Sequence, residues 1–417
     1  MNDERWLLPA GIEEVLPPEA ARMERLRRAL LDLYSGWGYE LVIPPFIDYL
    51  ESLLTGTGHD LDLRTFKLTD QLSGRMLGVR ADMTPQVARI DAHQLRSDLP
   101  TRLCYLGTVL HTRTDGFAGT RSPMQIGAEI YGHDGAESDV EILRLMVATL
   151  ITAGIDAAFI DLGHVGIYRG LARQAGLDHA REMALFDALQ RKAVAEVSAL
   201  IDQFELEPEV GRMLLALADL NGADALDRAD SLLSAADAPV KAALARLRRV
   251  AEETGRWLPD LPVHFDLAEL RGYTYKTGVV FAAFVPGWGL EIARGGRYDD
   301  IGRVFGRARP AVGFSSDLKG LISLADKPST EEYVPDAIAA PWDADPGLQA
   351  EVNRLRAAGR RVVQLLPDQG VGSRATGNRS QRLPDQAADS RTTGNWPPGC
   401  SQALTLVDGA WRLVPVP

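Results

Sequence analysis

From Tyr168 to Trp257 the chain is rich in Ala and Leu, and almost every segment has helical period. Strand patterns stand on both sides of this block, so any sheet that gathers them must accommodate a long helical insertion, placed at 168–258. Before it, Met23, Leu26, Leu30, Leu33 and Trp37 mark a helix that starts after Pro17-Pro18 and stops at Gly36 and Gly38. Tyr39–Ile43 is a short strand. Thr65–Arg80 reads as strand, turn and strand, Met83–Gln94 as helix, and Arg102–His111 and Met124–Gly132 as two strands around a loop at Thr112–Ser122 that is expected to be mobile. A helix through Val140, Leu143 and Met146–Leu150 and a strand at Phe159–Leu162 follow. Within the helical block, Leu185, Leu189, Ala193, Val197 and Leu200 predict one continuous stripe, and Met213, Leu217 and Leu220 a second. Beyond it come strands at Val263–Leu267 and Val279–Phe284, a turn motif at Arg294–Tyr298, a strand at Pro310–Phe314 and an apolar helix at Leu318–Leu324. Antiparallel hairpins flanked by helices define an α+β class.

This core is expected to span 1–326, leaving a small C-terminal α/β region at 327–417. That region shows strand, helix and strand patterns at Ala337–Ala340, Gly347–Gly359 and Arg361–Leu366, and a closing hairpin turned at Asp408-Gly409. Between them, 369–400 is polar low-complexity chain with almost no apolar anchors, expected to be an extended loop that the fold does not need.

Composition excludes several function classes. Lys and Arg total 45 against 57 Asp and Glu, a formal net charge of -12, which argues against a generally basic nucleic-acid binder. The two cysteines, Cys104 and Cys400, make no disulfide framework, and seven histidines show no metal-ligand pairing, so neither a metal nor a cofactor is expected. The acidic, proline-broken N-terminus does not look like a signal peptide, and no apolar run reaches the roughly 20 residues of a membrane span, so a cytoplasmic protein is expected.

Three segments carry candidate chemistry: Val79–Thr84, Gln125–Glu129 and Leu270–Tyr275. Gln125 and Glu129 lie four apart on one strand and share a side, as do Asp82 and Thr84 if their strand extends that far. Carboxylate and amide oxygens suit an ammonium group and a polar ring, and Arg271 offers a planar fork for a carboxylate. An amino-acid pocket needs this mixture, although ordinary polar residues at a sheet edge have the same composition.

The order of these segments resembles the catalytic core of histidyl-tRNA synthetase, a class II aminoacyl-tRNA synthetase, from about Leu7 to Leu324. Leu8–Gly11 through Leu16-Pro17 looks like that family's N-terminal segment, and Gly38–Pro45 like its first class motif, which forms the dimer interface. Arg102–Gly132 looks like the second motif region, Arg271–Gly278 like the histidine-specific signature Arg-Gly-Leu-Asp-Tyr-Tyr, and Gly295–Asp299 with Pro310–Phe314 like the approach to the third motif. The resemblance implies a class II antiparallel sheet and a histidine-binding pocket made of Asp82, for the α-amino group, with Thr84, Gln125, Glu129, Arg271, Tyr275 and Tyr298. Lys276 stands where the signature has its second tyrosine.

The departures fall on the ATP side. Where the second motif carries Phe-Arg-x-Glu, this chain has Leu110-His111-Thr112-Arg113, and where the third ends Gly-Leu-Glu-Arg it has Asp317-Leu318-Lys319-Gly320. His111 and Gly320 therefore replace both phosphate-binding arginines, and Arg113 replaces the glutamate. Adenylation needs cations preorganised around the phosphates, so it is expected to be lost. A synthetase-like core with its amino-acid site kept and its ATP site erased resembles the regulatory subunit family of ATP phosphoribosyltransferase. That resemblance implies a non-catalytic partner of the short-form catalytic subunit in the first step of histidine biosynthesis, with L-histidine as effector and a homodimer inside a hetero-oligomer. The competing readings are a histidine–tRNA ligase with degenerate motifs and an amino-acid-binding synthetase paralogue serving another partner.

Overall fold

A computed structural model describes residues 6–54, 59–114, 120–270, 272–273, 275–325, 336–366 and 399–416. The chain divides into two compact units, Met1–Asp326 and Lys327–Pro417. Arg271 and most of the low-complexity segment, 369–398, lie outside the described residues, as does 115–119 of the loop expected to be mobile.

The first unit is organised by a nine-stranded sheet in the order Glu40–Leu41, Thr101–Thr108, Met124–Tyr131, Ala311–Asp317, Ala293–Arg297, Val279–Phe284, Phe159–His164, Val263–Asp266 and Asn221–Gly222. The strands from Thr101–Thr108 to Phe159–His164 are antiparallel, whereas Glu40–Leu41 joins Thr101–Thr108, and Val263–Asp266 joins Phe159–His164, in parallel. The helix Ala136–Thr152 packs beside this sheet and is buried almost all round, through Val140, Ile142, Leu143, Leu145, Met146 and Leu150. That is the pattern of a helix with protein on every side. By contrast Glu19–Gly36 buries only Met23, Leu30 and Tyr34, one narrow stripe. A separate three-stranded sheet pairs Met76–Val79 with both Ile47–Tyr49 and Phe66–Thr69.

Four expectations need correction. Arg294–Tyr298 is not a turn, because Ala293–Arg297 is a central strand. A Cβ at Gly295 would collide with the Phe281 ring and the Gly313 carbonyl, so this glycine serves a close approach within the sheet. The single stripe from Leu185 to Leu200 is broken: His179–Gln190 ends, Lys192 turns with φ 52°, and Val194–Gln203 begins. Both halves still bury their share, which is why the period survives the break. Asp82 and Thr84 are not strand residues, since the strand stops at Val79 and Thr84 opens the helix Thr84–Arg89, which continues as a π turn over Ile90–Leu95. Cys400 does not close a loop but starts the strand Cys400–Val407.

The helical region begins at Val165–Gln174 and ends at Ala238–Trp257. His164, the last residue of its sheet strand, caps the first of these helices by accepting the Gly166 N–H at 3.0 Å. Burial, with help from Arg246, Arg169 and Arg297, pushes the His164 pKa down to about 4. Folding therefore favours neutral His164. Its contribution is complete above the unfolded value of about 6.5 and is lost as pH falls through the folded value, a total of about 3 kcal/mol. In denaturation at several pH values, His164→Asn retains a cap acceptor without titrating, and its stability should fall less than that of the wild type between pH 6.5 and 4. Parallel pH profiles would refute this assignment.

The second unit orders its strands Arg361–Gln364, Ala337–Ala340, Cys400–Val407 and Ala410–Pro415. The first three are parallel and the last closes an antiparallel hairpin. The helix Pro346–Ala357 packs Leu348, Val352 and Leu355 against Ile338 and Leu404. Asp345 caps that helix and also accepts the Trp411 indole N–H.

Candidate amino-acid pocket

The pocket lies in the first unit, where the turn before Thr84–Arg89 meets the strand Met124–Tyr131. Gln125 fixes the turn with both ends of its amide: its Oε1 accepts the Met83 N–H at 2.9 Å and its Nε2 donates to Asp82 Oδ1 at 2.8 Å. Asp82 Oδ1 also accepts the Thr84 N–H at 2.9 Å, so the carboxylate is held by two donors while remaining half-buried. Gln125 thus orients Asp82, and Asp82 lines the cavity.

Glu129, two pleats along the same face, is buried. Its Oε1 accepts Tyr105 Oη at 3.0 Å and Thr84 Oγ1 at 3.2 Å. Burial, reinforced by the negative charge of Asp82, holds its carboxyl well above the usual carboxylate range against those two hydrogen bonds. Among the described residues, Glu129 Oε2 and the Tyr298 hydroxyl are buried without a hydrogen-bond partner. Buried polar atoms are rarely left so, and of those in this state Glu129 and Tyr298 both line the cavity. A Cβ at Gly313 would collide with Glu129 Oε2 and lie 2.5 Å from the Tyr298 hydroxyl, so the glycine lets both polar atoms sit against the sheet backbone. Met83, Val87, Tyr105, Tyr298 and Ile301 form the apolar packing beneath.

Tyr275 and Lys276 complete one wall together with Arg294 and Ser315. Lys276 is buried and its Nζ donates to the Gly295 carbonyl at 2.7 Å. Tyr275 and Arg294 are the exposed members of this wall, and Arg294 pairs with Glu291 at 2.9 Å. The cavity measures about 40 Å³, room for a few water molecules and less than an amino acid fills.

Of the expected set, the structure brings together Asp82, Thr84, Gln125, Glu129, Tyr275 and Tyr298, while Arg271 lies outside the described residues. Tyr105, Arg294 and Ser315 were not legible as pocket residues. Tyr105 is placed by strand register, opposite Gly127 and therefore between Gln125 and Glu129.

At the positions where the ATP arginines are expected, His111 Nε2 bonds the Ala81 carbonyl at 2.9 Å and Gly320 lies within the short helix Leu318–Leu324, while Arg113, at the expected glutamate position, is exposed. Two neighbouring cations are engaged by the chain itself. Arg121 donates to the His111 and Ala10 carbonyls, each at 3.0 Å, and Lys319 reaches Glu13 and Ser122, each at 3.2 Å.

Comparison with known proteins gives this geometry its lineage. The histidyl-tRNA synthetase family profile matches residues 11–321, and the profile of the ATP phosphoribosyltransferase subunit HisZ C-terminal domain matches residues 335–379. The ATP phosphoribosyltransferase regulatory subunit of Alkalilimnicola ehrlichii is 60% identical over 379 residues, covering 90% of this chain and 94% of that one. The protein of the same description from Pseudomonas aeruginosa is 54% identical over 414 residues, 99% of this chain and 98% of the other. Among solved structures, an ATP phosphoribosyltransferase regulatory subunit/histidyl-tRNA synthetase from Bacillus halodurans superposes with a TM-score of 0.76 at 26% identity, covering 86% of this chain and 92% of that one. The histidyl-tRNA synthetase of Nostoc sp. PCC 7120 shares the fold, with a TM-score of 0.70 at 20% identity over 87% of this chain and 86% of the other. The class II synthetase-like α+β fold expected from the sequence is thus the fold observed, and with relatives matching nearly its whole length the chain belongs to the ATP phosphoribosyltransferase regulatory subunit family.

Proposed function

We propose that this chain is a regulatory subunit without catalysis of its own, which binds L-histidine in the pocket described above and conveys feedback to a separate ATP phosphoribosyltransferase catalytic subunit of the short form. The observation that carries this reading is a pairing: the chain keeps a polar pocket built around Asp82 and Glu129, while the ATP-arginine positions of the sequence hold Gly320 and His111, the latter bonded to the Ala81 carbonyl next to Asp82. Asp82 takes the ammonium group, Glu129 and Tyr298 meet the imidazole, and Arg271 is assigned to the carboxylate by the family resemblance. Feedback further requires that histidine prefer the inhibited state of the complex, because only differential affinity shifts an equilibrium. No cofactor enters this scheme.

A homodimeric core is part of the same proposal. Leu41, Ile43 and Phe46, in and beside the segment resembling the dimer-forming class motif, are exposed apolar side chains of the kind that a partner surface covers. The acidic balance and two distant cysteines support a cytoplasmic setting, and no helix among the described residues is long and apolar enough to cross a membrane.

The test has two arms. Pure protein given histidine and ATP is expected to show no pyrophosphate exchange. The same protein mixed with a short-form catalytic subunit is expected to form a complex that raises phosphoribosyltransferase activity, with histidine suppressing it. Measurable exchange would overturn the non-catalytic reading, and absence of a complex would overturn the partner.

A further inference from the structure

The pocket wall that carries Tyr275 and Lys276 is held from behind by the helical region. On the sheet side, Thr277 N–H donates to the Arg297 carbonyl at 2.8 Å, and Thr277 Oγ1 donates to Asp299 Oδ2 at 3.0 Å. On the opposite side stands Arg169, from the helix Val165–Gln174. Its Nη2 forks across two carbonyls of the wall, Tyr273 at 2.8 Å and Lys276 at 3.0 Å. Its guanidinium lies 4.7 Å from the centre of the Tyr273 ring. Tyr273 itself is buried, meets Tyr168 edge-on at 5.4 Å and Phe186 at 5.2 Å, and donates its hydroxyl to the Glu182 carboxylate. Tyr273 thus leaves the wall and enters the core of the two helices Val165–Gln174 and His179–Gln190, while Tyr275 and Lys276 face the ligand side.

We infer that Arg169 is a positioning residue of the histidine pocket, and that through its fork and the Tyr273 anchor the first two helices of the helical region are thermodynamically coupled to pocket occupancy. The inference rests on the assignment of this pocket to histidine. The physical basis is preorganisation. One nitrogen donates to two carbonyls three residues apart, which restrains Tyr273 and Lys276 against the same helix and so the direction in which the Lys276 side chain leaves the wall. Without the fork the wall samples other backbone states, and the apparent dissociation constant rises by the inverse of the fraction still in the binding arrangement. Coupling is reciprocal: if the anchored wall binds histidine better, histidine must stabilise the anchor, and protection must appear in helices that never touch the ligand.

The test uses the full chain and calorimetric titration with L-histidine. Arg169→Met keeps the length and apolar stem but loses both donors, and affinity should fall about tenfold. Arg169→Lys retains donors on one nitrogen and should fall between the two. Arg248→Met is the control: Arg248 ties the helix Ala238–Trp257 to Asp227, Asp230 and the Leu226 carbonyl, away from the wall, so its loss weakens the helical region without moving the fork. Affinity in that variant should match the wild type. Hydrogen exchange supplies the readout that a merely structural role would not move: amides of Val165–Gln174 should slow when histidine is added to the wild type but not to Arg169→Met. Wild-type affinity in Arg169→Met, or an equal loss in Arg248→Met, overturns the inference while leaving the pocket assignment intact. Absence of histidine binding by the wild type overturns both.

Discussion

Glu129→Ala should lower histidine affinity by about ten- to a hundredfold, since removing the partner of a buried polar group costs roughly 1–3 kcal/mol. Glu129 is the residue on which the pocket converges: one oxygen is fixed by Tyr105 and Thr84, and the other is left buried and unpaired beside Gly313. That arrangement is poor for stability and good for a ligand that brings a ring N–H. The cost has a pH signature. Because burial raises the Glu129 pKa in the folded chain, the folded state holds its proton more tightly than the unfolded state. Stability is therefore lost as pH rises from the unfolded carboxylate value through the raised folded one. Glu129→Gln keeps the shape and cannot ionise, so its melting temperature relative to the wild type should climb between pH 5 and pH 8 while its histidine affinity falls. In a complex reconstituted with the catalytic subunit, Glu129→Ala should assemble normally and shift the histidine inhibition curve to higher concentration. An unchanged curve with normal calorimetric binding would place the regulatory site elsewhere.

What could be read from the sequence follows a physical division. Strands with one buried face and helices with one buried stripe announce themselves by period, which is why Thr101–Thr108, Met124–Tyr131 and Glu19–Gly36 were visible. Gly295-Gly296 was not, because paired glycines serve both tight turns and close sheet contacts, and only the neighbouring Phe281 ring and Gly313 carbonyl decide between them. The pocket divides in the same way. Gln125 and Glu129 share a strand, so their common side follows from pleat geometry. Asp82 and Thr84 meet through a capped turn and not through a strand, so pleat geometry does not account for their shared place. Tyr105 needed the register of a hairpin whose connecting loop has no regular pattern. Arg169 and the Tyr273 carbonyl are 104 residues apart in the chain, and no local pattern records their meeting.

The largest loss of stability should come from Asp139→Ala, at about 3–5 kcal/mol, the usual cost of removing one partner from a buried charge pair. Asp139 is fully buried on the helix Ala136–Thr152 and receives two arginines. Arg297, from the central strand Ala293–Arg297, donates Nε to Oδ1 at 2.9 Å, and Arg246, from the helix Ala238–Trp257, donates Nε and Nη2 to Oδ2 at 3.0 and 2.7 Å. The two arginines differ in exposure, and that sets the order of effects. The Arg246 side chain keeps 26% of its surface in solvent and can rehydrate, whereas that of Arg297 keeps 5% and cannot. Arg246→Met should therefore cost much less than Asp139→Ala, and Asp139→Asn, which retains an acceptor but not the charge, should fall between them. Arg297 also passes its restraint onward, through Asp299 at 3.2 Å and through its own carbonyl to Thr277 in the pocket wall. Histidine binding by Asp139→Asn should then weaken although the substitution lies outside the pocket. Denaturant unfolding of the three variants measures the order directly. A cost below about 1 kcal/mol for Asp139→Ala would mean that Ser138 and the carbonyls of His133 and Gly135, which Arg297 also reaches, satisfy the buried guanidinium by themselves.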